Sequence, residues 1–306
     1  DECLLSIKSA TACTYEIIVV DNGSKDGSAQ LVQDRHPDAK LIRNTRNRGF
    51  AAATNQGTLI ARGRYLFMLN PDVVVRSGAI DRLVEFLDSH GDFGLCAPCN
   101  TDRDHTIQVS WFPFPTWWAL ARGRVRHGLF NPLRSPDQSV RPTLRPSSGW
   151  IEIDWARGCS LMVDANLYRD LGGLDEGFFL YFEEVDLCKR AHAHGCRCAY
   201  IPDSVIVHYR GGSSPPQETV WLDGMLGTYG LRSTYRYLGK HQGWSAQYIM
   251  RGIDLLVGCV LLLRSALHRD PTEQAYGQAH GYLLIGEALC LANRKARHID
   301  STMPNV

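Results

Sequence analysis

Two acidic strings, far apart in the chain, carry the residue types that catalysis needs. Leu69-Asn70-Pro71-Asp72 closes an apolar run, and Phe178-Phe179-Leu180-Tyr181-Phe182-Glu183-Glu184-Val185-Asp186 sets three carboxylates behind aromatic residues. A carboxylate at the carboxyl end of a strand sits where open α/β sheets bind ligands. Asp72 is therefore a candidate for a hard divalent cation, which oxygen donors hold. The second string opens a predicted helix. The helix dipole alone favours acidic residues there, and Asp72 alone could cap a turn. The aromatic lead-in adds something else: it desolvates a carboxylate and raises its pKa, as a general base requires. Together the strings imply a metal-bound diphosphate held opposite a proton acceptor.

The elements that must position these groups are legible as an alternation. Residues 1–9 read as a short helix, and Tyr15-Glu16-Ile17-Ile18-Val19-Val20 as a buried, β-branched strand. That strand ends in Asp21-Asn22-Gly23-Ser24, where Asn-Gly is also a common turn dipeptide. A helix through Gln33, a strand over 39–43, a loop at Asn47-Arg48-Gly49-Phe50 and an alanine-rich helix to about Ala61 follow. Tyr65 to Leu69 is a third strand, and Ile80, Leu83, Val84 and Leu87 mark the apolar stripe of a helix over 77–90. Strand–helix alternation of this kind predicts an α/β fold with a mostly parallel sheet flanked by helices. The pattern fails over 101–150, where Trp111, Phe112, Phe114, Trp117 and Trp118 mix with prolines and Arg122, Arg124 and Arg126; this reads as a long loop or flap. Order returns with Trp155–Val163, a helix from Asp164, the acidic helix and a strand Ser204–His208 ahead of Tyr209-Arg210-Gly211-Gly212-Ser213. Residues 216–306 read as a helical extension to a 1–215 domain. Its apolar run, Leu255 to Leu263, is too short to span a bilayer, so a buried helix, an interfacial membrane helix or a dimer helix are the readings left.

Composition excludes several classes. Lys+Arg (33) and Asp+Glu (32) nearly cancel over 306 residues, which argues against nucleic acid as partner. No Gly-x-Gly-x-x-Gly follows a strand, which argues against a dinucleotide oxidoreductase. The ten cysteines do not form a disulfide framework: Cys159, Cys188 and Cys259 lie in apolar stretches, and Cys96-Ala97-Pro98-Cys99 has no matching second pair. A reducing cytoplasm suits them, and the first residues lack the basic start and apolar core of a signal peptide.

Residues 15–28, 44–57, 63–75 and 173–213 resemble the family 2 glycosyltransferases of the GT-A fold, most of all their rhamnosyltransferase-like members. The resemblance covers roughly residues 3–215. It implies that Asp21, Asn22, Gly23 and Ser24, with Asn47, Arg48 and Gly49, border the nucleotide; Arg48 stands where the family has an apolar residue. Asn70-Pro71-Asp72 matches a variant of the family's Asp-x-Asp motif, so Asp72 would hold Mg²⁺ or Mn²⁺ and Asn70 would assist by hydrogen bonding. The family's strand-end histidine falls on His208 as a second metal ligand, with Arg210 and the Gly211 backbone on the diphosphate. Glu184 takes the general-base position, with Glu183 as its competitor and Asp186 in support. The implied activity is inverting transfer of a sugar, rhamnose by resemblance, from a nucleotide-diphosphate donor to a hydroxyl of a glycan or polyprenyl-linked glycan. That acceptor implies a place in the cytoplasm or at the cytoplasmic membrane face. It also implies a first strand ahead of the Cys3-Leu4-Leu5-Ser6-Ile7 helix, so the sequence is expected to be truncated and poorly active alone. The rivals are a sugar-phosphate nucleotidyltransferase, whose glycine-rich N-terminal loop is not seen, and a non-catalytic glycan- or nucleotide-binding scaffold.

Overall fold

The computed structural model describes residues 1–130, 149–209 and 224–290. Helix α1 (Glu2–Ala10) leads into β1 (Ile18–Asp21), α2 (Ser28–Arg35), β2 (Lys40–Arg43), α3 (Phe50–Leu59) and β3 (Tyr65–Leu69). Then come β4 (Val73–Val75), α4 (Ala79–Ser89), β5 (Phe93–Thr101), β6 (Trp111–Phe112) and α5 (Trp117–Phe130). The chain continues through β7 (Ile151–Ile153), β8 (Trp155–Ala156), β9 (Ser160–Asp164), α6 (Ala165–Asp170), α7 (Glu183–Ala193) and β10 (Arg197–His208). Helices α8 (Gly224–His241), α9 (Trp244–Leu267) and α10 (Pro271–Leu289) close it.

The class is α/β as predicted, but the sheet is mixed rather than mostly parallel. Its main part runs β3-β9-β5-β10-β4, with β7 also on β10. Among the described strands only β1–β2 and β5–β10 pair in parallel. The physical reason lies in the connections. Only three residues separate β3 from β4, and β7, β8 and β9 follow one another with no helix between them, so no crossover is available to keep their direction. The segment over 101–150 is also not wholly a loop: it contains β6, paired with β8, and α5.

Strand periodicity distributes the core to both faces. Leu161 and Val163 of β9 pack with Leu95 and Ala97 of β5 against α3 and α7, while Met162 and Cys96 face Leu83, Phe86 and Leu87 of α4. All nine residues of β5 are buried, as a strand covered on both faces must be. Helices α8 to α10 do not hang apart. Tyr235, Leu238, Met250, Val257 and Leu284 share one core with Phe178 and Val185 of the acidic segment.

Candidate functional site

Asp72 sits in the tight turn between β3 and β4. The turn is tied on one side by Asn70 N–H to the Cys159 carbonyl (3.0 Å), and on the other by Tyr209 N–H to the Asp72 carbonyl (2.8 Å). The second bond places His208, at the end of β10, beside Asp72: Nε2 lies 3.6 Å from Oδ1, with the two side chains 13% and 11% exposed. That distance is too long for a hydrogen bond, and Asp72 Oδ1 is buried without one. A buried, unpartnered carboxylate oxygen facing an imidazole nitrogen is the donor set that a divalent cation would complete. The residues therefore fit the metal that the resemblance implies.

The acidic helix lies across a shared wall. Gly158 packs on Glu184, whose Cβ would stand 3.4 Å from a Cβ at that glycine. The next residue, Cys159, is the one that holds Asn70, and its thiol is pushed up to about 11 by burial, with the charges of both Asp72 and Glu184 adding to the effect. One short turn thus touches Glu184 through Gly158 and the turn that carries Asp72 through Cys159. Burial raises the Glu184 carboxyl above its ordinary range, against the opposing pull of helix N-terminal amides, Gly158 N–H and the Arg157 charge. Glu183, 5% exposed, is raised further, first by burial and then by the neighbouring Glu184 charge. Each glutamate has a buried Oε2 without a hydrogen-bond partner.

Backbone strain aims these groups. Tyr181 and Phe182 both have positive φ, 69° and 70°. Two consecutive side-chain-bearing residues in that region cost roughly 1–3 kcal/mol each and persist only where the surroundings fix them. Here the fixing comes from α8. Ser233 Oγ donates to the Leu180 carbonyl (2.8 Å), and Arg236 and Lys240 pair with Asp175 at 2.7 and 2.8 Å. Lys240 and His241 both reach Asp186 at 2.7 Å, as does Arg190. Burial raises Asp175, but hydrogen bonds from Lys240, Arg236 and the Gly177 amide outweigh it and leave the carboxyl at about 2. Asp186 is turned into this cluster and fully buried, so it anchors the helix start rather than opening onto the Glu184 side.

The predicted nucleotide loops are brought together with the acidic segment. The Asn22 carboxamide donates to Asn47 Oδ1 (2.9 Å) and the Gly49 carbonyl (3.2 Å), and its oxygen accepts from Arg48 N–H (3.0 Å) and Asn44 (3.1 Å). Asp21 is buried and accepts from Ser24 N–H. A Cβ on Gly23, at φ +88°, would meet Arg46 carbonyl carbon at 2.8 Å; one on Gly49, also +88°, would meet the Phe179 oxygen at 2.7 Å. Only glycine allows either approach. The Arg48 side chain is exposed. Arg210 and Gly211 lie outside the described residues, so the diphosphate nest stays an expectation from sequence.

Sequence reasoning missed the groups that support the site. Phe179 accepts from Phe50 N–H through its carbonyl, and Gly158, Lys240 and His241 contact the acidic helix. None has a motif of its own, although the cationic end of α8 was a readable signal. All ten cysteines are free; Cys159 and Cys188 are buried as predicted, whereas Cys259 is exposed, because an apolar stretch does not say which helix face turns inward.

The glycosyl transferase family 2 model matches residues 1–145. The chain is 28% identical over 291 residues to the N-acetylglucosaminyl-diphospho-decaprenol L-rhamnosyltransferase of Mycobacterium tuberculosis, covering 87% of this chain and 89% of that protein. It is 24% identical over 179 residues to rhamnosyltransferase WbbL of Escherichia coli, covering 58% and 62%. The crystal structure of GalNAc-T7 with UDP, GalNAc and Mn²⁺ superposes with a TM-score of 0.51 at 16% identity, covering 81% of this chain and 51% of that one; this likeness speaks to fold. Residues 1–145 thus match the family 2 glycosyltransferases, most of the chain is similar to a rhamnosyltransferase, and the fold is of the GT-A kind.

Proposed function

We propose that the chain transfers a sugar, rhamnose foremost, from a nucleotide-diphosphate donor to a hydroxyl of a polyprenyl-linked glycan, with inversion. The observation that carries this reading is the Gly158-Cys159 turn, which touches the half-buried Glu184, its carboxyl raised, at one residue and holds the Asn70-Pro71-Asp72 turn, beside His208, at the next. Asp72 and His208 would hold a divalent ion, Mg²⁺ or Mn²⁺. Such an ion, when bound, supplies positive charge that eases departure of the diphosphate. Asp21, Asn22, Gly23 and Ser24 border the nucleoside, and Asn47 to Gly49 close over it; Asn70 and Arg210 with Gly211 complete the donor side. Glu184 takes the proton from the acceptor hydroxyl as its oxygen attacks the anomeric carbon opposite the leaving group. Its contact with Gly158, next to the residue that holds Asn70, favours it over Glu183, which is more deeply enclosed. Asp186 positions the helix from beneath.

The acceptor class is supported by the decaprenol-linked relative and by α9. That helix is long and apolar enough to cross a membrane and only a third buried. Its exposed Trp244, Tyr248, Leu256, Val260, Leu263 and Leu267 fall on one side. We read this side as resting on the lipid surface that carries the acceptor, with a second copy of the chain as the alternative occupant. Vesicle co-sedimentation of the full chain, lost on Leu256→Gln with Leu263→Gln, tests it; equal partition of both proteins refutes it.

The site reading is tested by calorimetric titration with a panel of nucleoside diphosphates, with and without Mn²⁺, on the wild type and Asp72→Ala. Metal-dependent binding that the variant loses is expected. Near-normal transfer by Glu184→Gln, with donor binding intact, would remove Glu184 as the base.

A further inference from the structure

The cation reading leaves open what holds His208 in a ligating posture, and Gln108 answers it. Gln108 follows β5 in a narrow turn: its N–H donates to the Asn100 carbonyl (2.8 Å), and Thr101 bridges Ile107. Its side chain is 2% exposed. The amide nitrogen is surrounded by oxygens, with Asp102 Oδ1 at 2.7 Å, the His208 carbonyl at 2.9 Å and the Thr101 carbonyl at 3.3 Å. Flipping the amide would set its oxygen against all three. The orientation is thereby fixed, and the amide oxygen must face His208 Nδ1, 3.1 Å away.

An amide oxygen only accepts. Opposite it, the neutral imidazole must carry its proton on Nδ1, which leaves Nε2 with a lone pair. That lone pair points toward Asp72 Oδ1, itself buried and without a hydrogen-bond donor, at 3.6 Å. Two facing lone pairs repel unless a cation stands between them. A partner on the far ring nitrogen is the usual way to orient a ligating histidine.

We propose that Gln108 is a positioning residue for the donor-site cation: its side-chain carbonyl selects the Nδ1–H form of His208 and aims Nε2 at Asp72. The proposal rests on the reading that Asp72 and His208 hold a divalent ion. It also explains why a glutamine a hundred residues from the histidine in sequence lies buried beside it.

The test measures Mn²⁺ binding to the full chain, with nucleoside diphosphate present, by the electron paramagnetic resonance of free Mn²⁺. The proteins are the wild type, Gln108→Leu, His208→Ala and the double variant. Gln108→Leu is expected to weaken Mn²⁺ binding about 10–100-fold, and to add nothing further in the His208→Ala background. Binding by Gln108→Leu within about twofold of wild type, or fully additive losses, overturns the proposal while leaving the metal reading standing. Absence of Mn²⁺ binding by the wild type overturns the metal reading itself. Long-range ¹H–¹⁵N NMR of the metal-free wild type, at a pH where the ring is neutral, needs no variant to fold. A proton on Nδ1 supports the proposal, and a proton on Nε2 refutes it.

Discussion

Asp186→Asn keeps the shape of the side chain and removes a charge that Arg190 and Lys240 pair with and His241 contacts. Arg190, Lys240 and His241 each approach a carboxylate oxygen to 2.7 Å, and Asp186 is 0% exposed. Removing one partner of a buried ion pair costs about 3–5 kcal/mol, mostly because the charge left behind is uncompensated. Three features lower that figure here. Lys240 is 32% exposed and keeps Asp175, Arg190 keeps the Leu171 and Gly173 carbonyls, and the asparagine oxygen still accepts a bond. A loss of about 2–3 kcal/mol is expected, read as a lower urea midpoint with unchanged slope. In a chain of this size it corresponds to a fall in Tm of roughly 4–10 °C. The pH dependence supplies a second check. Burial raises the Asp186 carboxyl, but hydrogen bonds from His241 and Lys240 and the charge of Arg190 outweigh it, so the folded value lies below the ordinary one. A depressed carboxylate contributes fully above the unfolded pKa of about 3.9 and loses its contribution as pH falls through the folded value. The gap between wild type and variant should therefore hold at neutral pH and close below about pH 4. A variant within about 0.5 kcal/mol of wild type at neutral pH, or a gap indifferent to acid, would refute the reasoning.

With Glu184 as the proposed base, its raised carboxyl would set the acid limb of transfer. The base must be ionised, so the rate should climb as pH rises through a value above the ordinary glutamate pKa of about 4.3, and Glu184→Gln should lose about 10²–10⁴ in rate. An initial-rate profile still flat at that ordinary value would count against it. Gly49→Ala forces a Cβ to within 2.7 Å of the Phe179 oxygen at φ +88°. It should cost about 1–3 kcal/mol and weaken nucleotide binding, measured by thermal unfolding and calorimetry; unchanged values in both would show that the contact relaxes freely.

Sequence patterning located the elements that carry the candidate residues because those residues follow strand ends or open a helix. The β-branched run before Asp21 and the apolar run before Asp72 each became a strand, and the acidic string became the first turn of α7. What stayed hidden depended on pairing across distance. The partners of Asp186 on α8 lie more than fifty residues away, and no periodicity links them. Helix α9 begins at Trp244, eleven residues before the apolar run that starts at Leu255, because Arg251 and Asp254 interrupt the apolar signal. In the structure Asp254 is fully enclosed, 2.8 Å from both Arg124 and the Tyr235 hydroxyl. Strand direction was equally illegible. Alternation predicts parallel pairing only while a helix separates each strand from the next, and that condition first fails between β3 and β4.

The Phe179 carbonyl, bonded to Phe50 N–H and pressed against Gly49, has a consequence for recombination between relatives. It makes the donor loop and the acidic segment one inherited unit, although about 130 residues of chain separate them. A chimera that takes its 44–57 segment from one parent and its 173–186 segment from another must match a backbone contact that no side-chain substitution can restore. Crossovers that keep both segments from one parent should give folded hybrids. Those that split the segments should fail even where every motif residue is preserved.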